Sequence, residues 1–291
     1  MRRLAPLLLL IIAVGCAQDP AAVRAKHIAR IEQHLIAPDY ANPVPANHAS
    51  INDRLAYWHV PGVSIAVING GKVEWARGYG VADLDTGKAV DEHTLFHGAS
   101  LSKPVNAMTV LKFVQDGKLA LDQDVNQQLK GWHVPTTQFT ASKPITLRRL
   151  LSHTAGMSLA AFGLGLPATM PSQTVVDVLN GKPPATRPVH VEELPGRRFH
   201  YSGGGVAISQ LMLEEITHEP YPQIVQETVF GPLGMTESTF EQKLSPEQLQ
   251  HVAPGFKAGK RVNGPEHVYP AMSLYHGTTL VSYKVEHVGM T

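Results

Sequence analysis

One cysteine, Cys16, is present among 291 residues, so no internal disulfide can hold this chain together. It also has no Cys-x-x-Cys pair and no His-Glu-x-x-His, and its 15 histidines are scattered. The usual sequence signals of a metal centre are therefore missing, and neither a metal ion nor a cofactor is expected. Charge is sparse, at 17% of residues, and nearly balanced at a formal net +1. With no run of lysine or arginine there is no electrostatic footprint for nucleic acid, so DNA and RNA are not expected partners. Gly163-Leu164-Gly165 is a lone glycine pair with no preceding strand, which argues against a nucleotide loop. No internal repeat and no low-complexity tract occurs.

What is there is a hydrophobic fraction of 43%, enough to bury one large core or two small ones. Apolar periodicity predicts helices over residues 21–36, 49–58, 104–116, 146–152, 173–180, 206–217 and 221–229. Val63, Ile65 and Val67 alternate with smaller residues. Asn69-Gly70-Gly71 then makes a turn before Val73, Trp75 and an extended run to Val81, which predicts a β-hairpin. Pro- and Gly-rich loops such as Gly181-Lys182-Pro183-Pro184 separate the helices, and the chain reads as mixed α and β.

The chemistry concentrates at Ser100-Leu101-Ser102-Lys103. A serine hydroxyl is a poor nucleophile until a base takes its proton, and residues three apart on a helix share one face, so Lys103 can reach Ser100. An ordinary lysine is protonated at neutral pH, and service as a base requires burial or neighbouring cations. Pro104 falls in the first turn, where a missing N–H costs little, so Ser100 is expected near a helix N-terminus whose free N–H groups favour an oxyanion. Taken alone, the pattern reads equally well as two surface residues on a helix. A second element is Tyr201, placed just before Ser202-Gly203-Gly204-Gly205 and an apolar helix. Its phenol could shuttle a proton between Ser100 and a leaving group, or simply pack at a helix entry. His153 is a candidate triad histidine for Ser100 or a structural residue beside the pocket. Asp122 and Asp124 follow a Gly-Lys turn and read as loop caps. Gly98-Ala99-Ser100-Leu101-Ser102 is not the Gly-x-Ser-x-Gly elbow, because its last residue is serine.

Five ordered segments carry a family resemblance: Val60-Pro61-Gly62-Val63-Ser64, Phe96-His97-Gly98-Ala99-Ser100-Leu101-Ser102-Lys103, Leu150-Leu151-Ser152-His153-Thr154-Ala155-Gly156, Phe199-His200-Tyr201-Ser202-Gly203 and Pro232-Leu233-Gly234-Met235. In this order they resemble the serine β-lactamase-like hydrolases, a group that includes class C β-lactamases, D-alanyl-D-alanine carboxypeptidases and related esterases. The resemblance implies an α+β fold of the β-lactamase/transpeptidase type, an antiparallel sheet packed with a helical region. It makes Ser100 the nucleophile, Lys103 its partner base and Tyr201 the tyrosine of the second motif, and it makes His153 a structural residue near the pocket. Gly203 stands where that motif usually has asparagine, which weakens the case for penicillin or cephalosporin recognition and suits an esterase-like or peptidase-like member.

The family's third motif, His-x-Gly or Lys-Thr-Gly, supplies the second oxyanion-hole N–H from an edge strand. His287-Val288-Gly289 has the letters but lies too close to Tyr201 and to the chain end, and reads as coincidence. The resemblance covers residues 45–272 and fades over the divergent residues 273–291. The expectation is a truncated or frame-shifted member with C-terminal strands missing, only two strands of a five-stranded sheet encoded, and lower stability than a full-length relative.

At the other end, Arg2 and Arg3 precede an apolar run from Leu7 to Val14 that is too short to span a membrane. Ala13-Val14-Gly15-Cys16 resembles the bacterial lipobox, so residues 1–15 are expected to be removed and Cys16 lipidated, with ordinary cleavage after Ala17 as the alternative. Loss of Arg2 and Arg3 lowers the basic count from 25 to 23 against 24 acidic residues, leaving a nearly neutral mature chain. Residues 16–44 then read as a tether. The combined expectation is a serine hydrolase of the cell envelope, anchored to the membrane through Cys16. It would act on a small ester, amide or peptide by way of an acyl-enzyme on Ser100. The competing expectation is a non-catalytic lipid-anchored envelope protein or an inactive fragment.

Overall fold

The structure, a computed structural model, describes residues 19–35, 49–98, 100–159, 174–183, 187–241, 244–257 and 260–261. The chain divides into two compact units, residues 1–59 and 60–291. The first holds two short helices with well-formed starts. Helix α1, Pro20–Gln33, has proline at its first position, and the Asp19 carboxylate accepts the Ala21 N–H. Helix α2, Ile51–Trp58, begins with a capping box in which Ser50 and Asp53 satisfy each other's backbone N–H groups, and it ends at His59 in the left-handed region. Helix α2 groups with the first unit.

In the second unit, strands β1, Gly62–Asn69, and β2, Lys72–Asp83, form the expected antiparallel hairpin. Gly70 and Gly71 occupy its turn with φ of 57° and 75°; two successive positive φ values match the right-handed twist of the strands and are cheap only for glycine. A bulge between Val67 and Ile68 shifts the register in mid-hairpin. The sheet has a third strand that the sequence reading lacked. The turn through Asp85, Thr86 and Gly87 brings β3, Lys88–Ala89, back onto β2. A two-residue strand is too short to show alternation, so periodicity could not reveal it. The expectation of a bare two-stranded hairpin is corrected accordingly.

Helices follow: α3, Ser102–Gln115; α4, Leu147–Leu151; α5, Val175–Leu179; α6, Gly203–Thr217; and α7, Tyr221–Val225. All five lie within or close to the periodicity-based ranges. Beyond Val225 the helix widens to π geometry through Phe230, closed by the Gly231 N–H donating to the Gln226 carbonyl. A short α8, Pro246–Leu249, and the strand pair β4, Phe256–Lys257, with β5, Lys260–Arg261, complete the described elements. Helix α6 is buried along almost its whole length and shares one helical core with Val110, Phe113, Leu147, Leu150, Met157 and Phe230. An apolar helix of this kind shows little amphipathic stripe because it is the centre of the packing rather than its edge.

A buried polar network ties three of these helices together. Asn106 on α3 donates to the Ser209 hydroxyl on α6 at 2.8 Å and accepts from the Tyr221 hydroxyl on α7 at 2.8 Å. Because Asn106 lies one turn beyond Lys103, the network fixes the rotation of α3 about its axis. Among the described residues no helix is long and apolar enough to cross a membrane. Cys16 and His287-Val288-Gly289 lie outside the described residues.

Candidate active site

Ser100 does not begin a helix; it sits in the turn that feeds one. The Leu101 N–H donates to the Gly98 carbonyl at 2.9 Å and the Lys103 N–H to the Ser100 carbonyl at 3.1 Å, and α3 starts at Ser102. Lys103 and Pro104 occupy its first turn. Ser102, Asn106, Thr109, Val110 and Phe113 point inward, so the opposite side of the same turn, which carries Ser100, stays open to solvent.

Tyr201 arrives from a different part of the chain. The segment 190–200 runs antiparallel to 153–158, joined by the Ser158 N–H to His190 carbonyl bond at 2.8 Å and the Glu192 N–H to Gly156 carbonyl bond at 2.8 Å. The Gly196 N–H to Thr154 carbonyl bond, at 2.7 Å, closes its far end. The Ser202 hydroxyl then caps α6 by accepting the Gly205 N–H at 2.9 Å while donating to the Ser158 carbonyl at 2.7 Å. Tyr201 is thus held between a paired ribbon and a capped helix.

The three residues singled out from sequence converge. Ser100 Oγ lies 2.8 Å from the Tyr201 hydroxyl, Lys103 Nζ donates to Ser100 Oγ at 3.1 Å, and Nζ stands 5.0 Å from the centre of the Tyr201 ring. Tyr201 remains 40% exposed, so a substrate can reach the group. Burial by itself would raise the Tyr201 phenol. Hydrogen bonds from Lys103 and Ser100, with the Lys103 charge, outweigh it and hold the phenol below the ordinary tyrosine value. A lysine ammonium has donors only, so its contact with Oγ leaves the serine proton free to point at the tyrosine oxygen. The arrangement can take a proton from Ser100 and return it to a leaving group.

His153 lies against this group. Its ring packs on Tyr201 with centroids 4.6 Å apart, and its Nδ1 accepts the Ser202 N–H at 3.2 Å. Asp122 makes a two-pronged pair with Arg148 at 2.7 and 2.8 Å, and Asp124 caps the turn at Val125–Gln127 through the Asn126 N–H, so both serve loops. Gly203 opens α6 in a buried position and offers no side-chain amide. Among the described residues no cluster of three His, Cys, Asp or Glu side chains is placed to hold a metal ion.

A profile of the family described as Beta-lactamase matches residues 49–279, most of the chain. The chain belongs to the Beta-lactamase family. Protein flp of Staphylococcus aureus strain N315 is 29% identical over 206 residues, covering 68% of this chain and 38% of that protein. The Unguisins hydrolase ungD of Aspergillus violaceofuscus is 27% identical over 218 residues, covering 71% of this chain and 36% of that protein. The chain therefore matches well under half the length of these curated relatives. An octameric penicillin-binding protein homologue from Pyrococcus abyssi superposes with a TM-score of 0.60 at 23% identity, covering 80% of this chain and 52% of that one. This likeness shows the β-lactamase/transpeptidase-like α+β fold.

Proposed function

We propose that this member of the family is a serine hydrolase that forms an acyl-enzyme on Ser100. The observation that carries the reading is the contact of Ser100 Oγ with both the Tyr201 hydroxyl, at 2.8 Å, and Lys103 Nζ, at 3.1 Å. Tyr201, with Lys103 holding its negative charge, takes the serine proton as Oγ attacks a carbonyl carbon. The tetrahedral oxyanion faces the Ser100 backbone N–H, and Tyr201 returns the proton to the departing alcohol or amine. Water, activated by the same pair, then cleaves the acyl-enzyme.

Small esters and D-amino-acid amides suit the site better than β-lactams, because Gly203 offers no side-chain amide to a β-lactam's acylamino group. The hydrolase name of one relative, ungD, favours hydrolysis over a purely binding role. We further propose export and lipidation at Cys16, supported by Arg2, Arg3 and the apolar run ending in Ala13-Val14-Gly15-Cys16, which would hold the enzyme at the membrane surface of the cell envelope. The test is a substrate panel of a short-chain nitrophenyl ester, a D-alanyl dipeptide and a chromogenic cephalosporin, run with Ser100→Ala alongside. Turnover of the ester or dipeptide that exceeds that of the cephalosporin and disappears in the variant is expected. A Ser100→Ala protein as active as the parent sinks the assignment.

A further inference from the structure

His153 meets Tyr201 in three ways at once. Its carbonyl accepts the His200 N–H at 2.6 Å and its Nδ1 accepts the Ser202 N–H at 3.2 Å, so the residues on either side of Tyr201 both donate their backbone N–H to this one residue. Its ring covers the Tyr201 ring at 4.6 Å with a 39° tilt, and the Phe199 ring meets the His153 ring edge-on at 5.7 Å. The backbone of His153 is itself in the left-handed region, φ 54°, an uncommon conformation for a residue with a Cβ. It is held there by its own N–H donating to the Leu150 carbonyl and by the next N–H, of Thr154, donating to the Arg149 carbonyl. The left-handed backbone closes the C-terminus of α4, and what sets His153 apart is that two N–H groups from either side of Tyr201 and the Tyr201 ring itself all converge on it.

We propose that His153, as the neutral imidazole with its proton on Nε2, is the positioning residue that fixes the Tyr201 hydroxyl against Ser100. The inference rests on the acyl-enzyme reading of Ser100. The tautomer follows from the contact, since a nitrogen that accepts the Ser202 N–H cannot carry a proton. Protonation of Nδ1 would set two N–H groups face to face, break the bond on one side of Tyr201 and place a second cation near Lys103. The charged and titratable groups around His153 are Lys103 on α3, Tyr201 and His200 on the facing segment, Glu192 and Glu193 bonded to the His200 ring, and Arg149 beside Gly196. Burial first, then the Lys103 charge, push His153 below the ordinary histidine value, so the neutral form persists into mildly acidic solution.

The test combines ester hydrolysis across about pH 4 to 9 with nitrogen NMR of the histidine rings. Three chains are compared: the parent, His153→Ala and His153→Asn. Asparagine tolerates a left-handed backbone and can present Oδ1 where Nδ1 was. The expected results are a roughly 100-fold fall in kcat with little change in KM for His153→Ala, and recovery to within about tenfold for His153→Asn. The inflection of the parent's pH profile at the His153 titration should be lost in His153→Asn, while the limb set by protonation of Tyr201 itself remains. The parent's His153 should titrate below the ordinary histidine range as the Nε2–H tautomer, a reading that needs no turnover and so stands even if Ser100 proves unreactive. A parent His153 in the Nδ1–H form, or a His153→Asn protein that keeps the inflection at the His153 titration, overturns the proposal whether or not His153→Ala folds.

Discussion

At the scale of single residues, the site is a problem of holding three polar groups in contact while leaving them reachable. Tyr201 bears most of that load, since it touches Ser100, lies beside Lys103 and is clasped by His153. Tyr201→Phe keeps the ring contacts and removes only the hydroxyl. It should lower kcat by about 10²- to 10⁴-fold with an unchanged thermal transition, measured by ester hydrolysis alongside calorimetry. Ser100 and Lys103 were legible in the sequence because their spacing alone puts them within reach of each other. Tyr201, 101 residues away, stood out as a proton shuttle or a packing residue at a helix entry, and only the family resemblance favoured the first. The resemblance placed His153 near the pocket, but its contacts on either side of Tyr201 were not legible, because they depend on a left-handed backbone and on pairing between 153–158 and 190–200, which no local pattern encodes.

At the scale of elements, the site depends on α3 and α6 being locked in rotation and height. Asn106→Ala would remove the donor to the buried Ser209 hydroxyl and the acceptor of the Tyr221 hydroxyl and should cost about 1 to 3 kcal/mol in denaturant unfolding. Gly204 permits the close approach of α6 to the ribbon behind Tyr201. A Cβ there would stand 2.6 Å from Val189 Cγ1 and 3.1 Å from the Ser158 carbonyl oxygen. Gly204→Ala should therefore destabilise by about 1 to 3 kcal/mol and reduce turnover as well, since the displaced segment carries Tyr201; stability loss without any kinetic change would separate packing from the site. The helices were readable because each supplies a run of apolar residues bounded by Pro, Gly or a capping side chain. Strand β3 was not, because Lys88 and Ala89 pair only by virtue of the turn before them.

At the scale of the whole molecule, the ionisable groups make the fold sensitive to acid in two steps. Burial pushes His97 below its ordinary value of 6.5, and burial with the Lys103 charge does the same for His153. The unfolded chain therefore binds protons first, and stability falls as pH drops below 6.5 toward the lowered values. Hydrogen bonds from Arg198 bring Glu193 down to about 2, and hydrogen bonds from Lys182 and Thr174 bring Asp177 down to about 2. Their contribution is present above the ordinary values of 4.5 and 3.8 and is lost as pH falls through that range toward 2. Thermal unfolding followed by circular dichroism should show the midpoint falling in both intervals, with the lower step diminished in Arg198→Ala and at high salt. A midpoint that rises on acidification contradicts this assignment.

The fold class was legible at this scale through the family resemblance that five motifs in order carry, rather than from any one of them alone. The central claim is that Ser100 is an activated nucleophile. The measurement that tests it most directly is the intact mass of the chain after incubation with a fluorophosphonate, beside a folded Ser100→Ala control. Stoichiometric addition of one phosphonyl group, absent in the control, is the predicted result. A folded chain that takes up no label, or a Ser100→Ala chain labelled as fully as the parent, contradicts it.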